Sequence, residues 1–76
     1  MNNTRRKQIA ALIEKLEALR DEVETLHDEE QEAFDNLPEG IQFSERGEVM
    51  EAAAFNLDTA LSSIQEAIDA LEEASV

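Results

Sequence analysis

The sequence predicts an all-α protein: an antiparallel two-helix hairpin of the coiled-coil type that assembles into a four-helix bundle dimer or a higher oligomer. Two long segments carry apolar residues at alternating steps of three and four, which is typical of helices packed on helices. Between them lies a short segment that holds both glycines and the only proline. A chain of 76 residues without cysteine has no disulfide to supplement a small core, so we expect oligomerisation to do so.

The first helix is predicted over about residues 4–36. Asn3 or Thr4 can cap its start, and it should end before Pro38, because the residue preceding a proline avoids helical geometry. Glu30 occupies the one slot that breaks the apolar pattern. The predicted seam consists of Ile9, Leu12, Leu16, Leu19, Val23, Leu26, Ala33 and Leu37.

A bend over residues 37–43 and a second helix over about residues 44–75 complete a single domain, residues 1–76. Ser44 is the predicted N-cap, and Glu45 and Glu48 in the first turn suit the helix dipole. A short connection between helices of similar length makes the pair antiparallel. The second seam consists of Met50, Ala54, Leu57, Leu61, Ile64, Ile68 and Leu71.

A bend centred on Gly40 sets the register of the hairpin. Ile9 then faces Leu71, and the half away from the bend has a thick aliphatic core. Near the bend, Leu26 faces Ala54, so this half is thin and partly polar. The basic N-terminus is expected to lie beside the acidic end of the second helix.

An outward stripe of small residues predicts the surface between hairpins. Alanines recur every seven residues beside the second seam, and small side chains let helices approach closely. Two residues of the first helix flank its seam. The predicted oligomer interface consists of Ile13, His27, Ala53, Ala60, Ala67 and Ala74.

Charge is the strongest compositional feature, with a net value of −13. Five of the six bases lie in the first 20 residues, and only Arg46 follows them. Such a surface repels nucleic acid and anionic membranes, so we expect neither as a direct partner. It either keeps the protein soluble or attracts a basic partner. Without an apolar leader or a long apolar run, the sequence predicts a cytoplasmic protein.

Catalytic and metal chemistry have little support in the sequence. Glu24 and His27 have the Glu-x-x-His spacing of di-iron bundles, but Asn56 and Ala53 face them in the predicted register, and neither is a carboxylate. Without Cys, Tyr, Trp or a glycine-rich phosphate loop, we expect no cofactor, no metal site and no enzymatic activity.

The bend end is the predicted binding region. Glu30 in a seam slot is costly unless it is paired or solvated, and Arg46 can reach toward it. Either the bundle opens into water here, or an open notch binds a small ligand or a partner. The predicted notch consists of Glu30, Phe34, Phe43, Ser44, Arg46 and Met50.

The segments DEEQEAFDNLPEGIQFSERGEVMEAA (28–53) and LDTALSSIQEAIDALEEA (57–74) resemble a family of short acidic proteins of bacteriophages and prophages. The resemblance covers nearly the whole chain, and its specific part is the bend. It implies a role in the host cytoplasm against a host system. The leading hypothesis is therefore a non-enzymatic protein that binds and modulates a host factor, including an anti-defence role. The alternatives are an oligomeric sponge for a small nucleotide-like signal, for which Ser44 and Arg46 would supply donors, and a purely structural assembly protein.

Overall fold

The computed structural model describes all residues, 1–76, and it is helical throughout apart from short connections. Helix α1 spans Asn3–Asp35, α2 is a short helix at Glu39–Gln42, and α3 spans Glu45–Ala74. The prediction of an all-α fold with two long helices packed together is confirmed. The hairpin is a rod, with Cα extents of 58 × 15 × 12 Å. None of its helices combines the length and apolar character needed to cross a bilayer.

Two hydrogen bonds between the long helices show that they run antiparallel. Near the open end, Arg6 Nε donates to the carbonyl oxygen of Ser75 over 3.2 Å. Further along, Arg20 Nη1 donates to Gln65 Oε1 over 2.9 Å. The basic N-terminus thus meets the carbonyl end of α3, where a cation is favourable for the helix dipole, and Arg6 forms no ion pair there.

Asn and Ser side chains cap the two long helices. Asn2 Oδ1 accepts from the Arg5 backbone N–H over 2.8 Å, so α1 begins one or two residues earlier than Asn3 or Thr4 as caps would give. Ser44 is the N-cap of α3, as the sequence predicts, and its side chain accepts from the Gly47 N–H. Capping therefore fixes where each long helix starts.

At the bend, α2 packs directly on the first turn of α3, and Gly47 allows this close approach. We call residues 39–44 the corner. Gly47 is buried, and a Cβ atom there would lie 2.6 Å from the Ile41 carbonyl oxygen and equally close to the Gln42 carbonyl carbon. Gly40 has nothing within 4 Å of the corresponding position. Only Gly47 is thus required by close approach.

The side of α1 that faces α3 differs from the predicted seam. Leu12, Leu19 and Leu26 are 47%, 50% and 54% exposed, so they lie at the edge of the contact rather than within it. Most half-buried positions of α1 form two sets with a spacing of seven residues, and Glu17 and Gln31, beside the second set, are also half-buried. The two sets are Ile9, Leu16, Val23 and Glu30, and Ile13, Arg20, His27 and Phe34.

Arg20 shows why a charged residue can replace leucine in this contact. Its long aliphatic stem covers apolar surface while the guanidinium reaches Gln65 at the edge of α3. Ile9, Leu16 and Val23 belong to both the predicted and the observed stripe. The apolar stripe of α1 is therefore wider than one packed helix covers, and α3 packs on the more polar side of that stripe.

The hairpin has very little interior of its own. Along α3 the predicted seam residues are half-buried or buried, but only Gly47, Ala54 and Ile68 reach the buried class among 76 residues. Ile68, at 1% exposure, is the only large side chain that is fully enclosed. Packing between α1 and α3 thus forms a thin core in a long rod.

Candidate binding cleft at the bend

A cleft of about 890 Å³ opens at the bend end of the rod. Helix α1 contributes His27 and Gln31, the corner contributes Phe43, and α3 contributes Phe55 and Asp58. The three parts of the chain meet here because α2 packs on α3, while its Gln42 side chain bonds to the end of α1. We call this the bend cleft.

Side-chain hydrogen bonds hold the wall that the corner contributes. Gln42 Nε2 donates to the carbonyl oxygen of Phe34 over 3.1 Å and to that of Asp35 over 3.4 Å, at the end of α1. The Phe34 oxygen also accepts from the Leu37 N–H. Ser44 Oγ donates to the Ile41 carbonyl oxygen over 2.5 Å. These bonds hold the residues on both sides of Phe43, and so the backbone that carries its ring beside the cleft.

Two phenyl rings line the cleft and remain largely in solvent. Phe43 is 79% exposed and Phe55 is 69% exposed. Neither ring therefore serves the core of the hairpin. Exposed rings that border one cavity offer apolar area and π faces to an incoming group.

The remaining charge of the bend cleft is negative. Glu48, Glu51 and Asp58 line it, and no Lys or Arg does. His27 Nδ1 lies 3.2 Å from Asp28 Oδ1, so its ring is held by a neighbour on α1. The cleft thus combines aromatic faces with carboxylates, which suits a cationic group and opposes a phosphate.

The structure places the six predicted notch residues in different surroundings, and only Phe43 lines the bend cleft. Glu30, Phe34 and Met50 are half-buried along the helices, and Glu30 forms no ion pair. Ser44 is engaged as a helix cap. Arg46 is exposed and does not reach Glu30 within ion-pair distance.

The residues of the predicted oligomer interface do not share one surface of the hairpin. Ile13 and His27 are half-buried on the side of α1 that also carries Arg20. The four alanines follow one flank of α3, where Ala53 and Ala60 are half-buried while Ala67 and Ala74 are exposed. Their contact with a second chain stays a prediction.

Sequence reasoning missed the roles of Gln42 and of the α3 carboxylates in this region. A usable signal exists for Phe55, because the residues that share its heptad position, Glu48, Ser62 and Asp69, are all polar. An aromatic residue on a polar flank indicates a surface role. Gln42 gives no such signal, because its partners are backbone carbonyls.

No group of three or more His, Cys, Asp or Glu side chains is arranged to hold a metal ion. Comparisons with protein families, curated proteins and solved structures find nothing that matches the chain.

Proposed function

We propose that the protein is a non-enzymatic interaction protein that binds a basic segment of a partner protein in the bend cleft. The resemblance to phage and prophage proteins makes that partner a host factor in the cytoplasm, whose activity is inhibited or modulated by occupation of its basic surface. In this proposal the working unit is an oligomer of hairpins, either a four-helix bundle dimer or a larger assembly.

The observation that carries the proposal is the pairing of exposed rings with carboxylates in one cavity. Phe43 and Phe55 present π faces, to which a Lys or Arg side chain is attracted. Glu48, Glu51 and Asp58 border the same space and complement that cation. The net charge of −13 adds long-range attraction that raises the rate of encounter with a basic partner.

The two alternative functions have weaker support. A nucleotide sponge needs positive groups or backbone donors around phosphate, whereas the bend cleft has carboxylates at its walls. A purely structural bundle gives no reason for two phenyl rings to stand in solvent, where they cost solubility.

The test uses a fluorescent peptide of alternating Lys and Leu residues as a defined basic probe, titrated with the full chain. Phe43→Ala and Phe55→Ala should each weaken binding roughly two- to fivefold, as expected for exposed cation–π contacts of about 0.5–1 kcal/mol. Val76→Ala is the matched control, because Val76 is an exposed apolar residue outside the cleft.

Binding of this probe should also weaken as salt rises, since exposed charges are screened beyond ~10 Å at 0.1 M. Equal affinities for all three variants would contradict the proposal, because any acidic surface would then account for the binding. A pulldown from host lysate with the same variants identifies the natural partner.

A further inference from the structure

The exposed leucines of α1 and an uncharged flank of α3 lie on the same side of the hairpin. In α1, Leu12 and Leu19 follow one edge of the contact with α3, and Ile13 and Arg20 follow the opposite edge. The hydrogen bond from Arg20 to Gln65 shows which edge of α3 adjoins the Arg20 edge. The leucines must therefore adjoin the other edge of α3.

That other edge of α3 carries no charge along nearly its whole length. Helical spacing places two heptad positions there, of which the alanine position (53, 60, 67 and 74) adjoins the buried seam and the other lies further round the helix. This is notable in a helix that contains eight carboxylates, all of which occupy the remaining positions. Its residues are Val49, Ala53, Asn56, Ala60, Ser63, Ala67, Ala70 and Ala74.

We infer that this uncharged face, formed by Leu12, Leu19 and Leu26 of α1 with that edge of α3, binds a second copy of the chain. The inference rests on the proposal that the working unit is an oligomer, and it names the surface. It places the leucines, rather than Ile13 and His27, at the centre of the interface. Two hairpins joined in this way form a four-helix bundle whose second layer completes the thin core.

The high negative charge of the chain favours a second copy as the partner of the uncharged face. Two chains of −13 each repel one another, so they can associate closely only through surfaces that carry no carboxylates. The uncharged face meets that condition on both copies at once, as a two-fold interface requires. A basic partner, in contrast, would gain nothing electrostatically from this side of the hairpin.

The accessible surface of the single hairpin is larger than that of a compact monomer, as expected if a second layer of helices covers part of it. Its accessible surface is 5554 Å², whereas a compact monomer of this mass exposes about 4,700 Å². The excess is close to the roughly 800 Å² that each partner contributes to a stable interface. The small alanines and the projecting leucines supply the alternation of short and long side chains that close helix packing uses.

The decisive experiment is sedimentation equilibrium of the full chain and three variants at micromolar concentrations. The unmodified protein should sediment as a dimer. Ala67→Glu should sediment as a monomer, because it adds a charge to the uncharged face at a position already exposed in the hairpin. Ala18→Glu is the matched control: Ala18 is an exposed helical alanine on the back of α1, and this variant should remain dimeric.

A second variant covers the leucine half of the interface, since Leu19→Glu should also abolish the dimer. Circular dichroism at high concentration checks that each variant keeps its helices. A monomeric unmodified protein, or an unchanged dimer for both Ala67→Glu and Leu19→Glu, would overturn the inference. Peptide binding at the bend cleft is measured separately, so retention of that binding by a monomer would leave the proposed binding role of the cleft standing, while this inference and the proposed oligomer both fail.

Discussion

Replacing Gly47 with alanine tests the tightest contact in the molecule. The added methyl group would lie 2.6 Å from the Ile41 carbonyl oxygen and from the Gln42 carbonyl carbon, a separation that real Cβ atoms do not tolerate. Those atoms belong to the backbone of α2, so no side-chain rotation relieves the overlap. The two helices must move apart, or α2 must leave its place.

The expected loss follows from two opposing effects. Overpacking of this kind costs about 1–3 kcal/mol, and the contact with rigid backbone favours the upper end. Alanine recovers up to about 1 kcal/mol through its better helix propensity. We therefore expect a net loss of roughly 2 kcal/mol, which lowers the Tm of a domain of this size by about 8–16 °C.

Gly40→Ala is the control, because it makes the same chemical change in the bend at a position where the added Cβ atom would have no other atom within 4 Å. It should raise stability by about 0.4–1 kcal/mol through loss of freedom in the unfolded chain. Thermal unfolding followed by circular dichroism, at one fixed protein concentration, measures both variants. A Gly47→Ala protein that melts at or above the unmodified Tm would refute the close approach of α2 and α3.

Two further substitutions test the corner and the seam. Gln42→Ala removes the donor to the Phe34 and Asp35 carbonyls and should lower the free energy of unfolding, measured in urea, by about 1 kcal/mol. Gln31→Ala should lower it by less, because the only side-chain bond of Gln31 is to Asp35 on the same helix. Equal losses for the two variants would argue that Gln42 does not cap α1. Glu30→Leu should stabilise the hairpin by about 1 kcal/mol, since a half-buried carboxylate without an ion-pair partner is replaced by apolar area. A loss of stability in Glu30→Leu would show that Glu30 is paired, and the exposed Glu29→Leu provides the comparison.

Periodicity and caps carried the sequence prediction of α3 and of its buried stripe. Beside the stripe of Met50, Leu57 and Ile64, the flanking heptad position holds only alanines. No second stripe of large apolar residues competes with it, so the sequence pattern predicts which side of α3 faces α1. The N-cap role of Ser44 also follows from the sequence, because a serine followed by carboxylates in the first turn is a common helix start.

The orientation of α1 could not be read from the sequence in the same way. Leu19 and Arg20 are adjacent, and hydrophobicity alone assigns the leucine to the contact. The observed contact instead takes Arg20, whose stem is apolar and whose head finds Gln65 across the interface. Choosing between these sides depends on a partner from the other helix, which no local pattern encodes. The sequence predicts a notch at the bend end, but Phe43 is its only predicted residue that lines the bend cleft, because the cleft unites three separate parts of the chain.

The overlap of two stripes on α1 has a consequence for how this sequence can change over generations. Leu16 and Val23 lie at the border of both stripes, so a replacement at either position alters the contact with α3 and the exposed leucine edge together. Leu19 and Arg20 are consecutive codons that serve opposite edges of the helix. Each can change with its own edge, so the exposed leucine edge of the rod can be altered without disturbing the contact between α1 and α3.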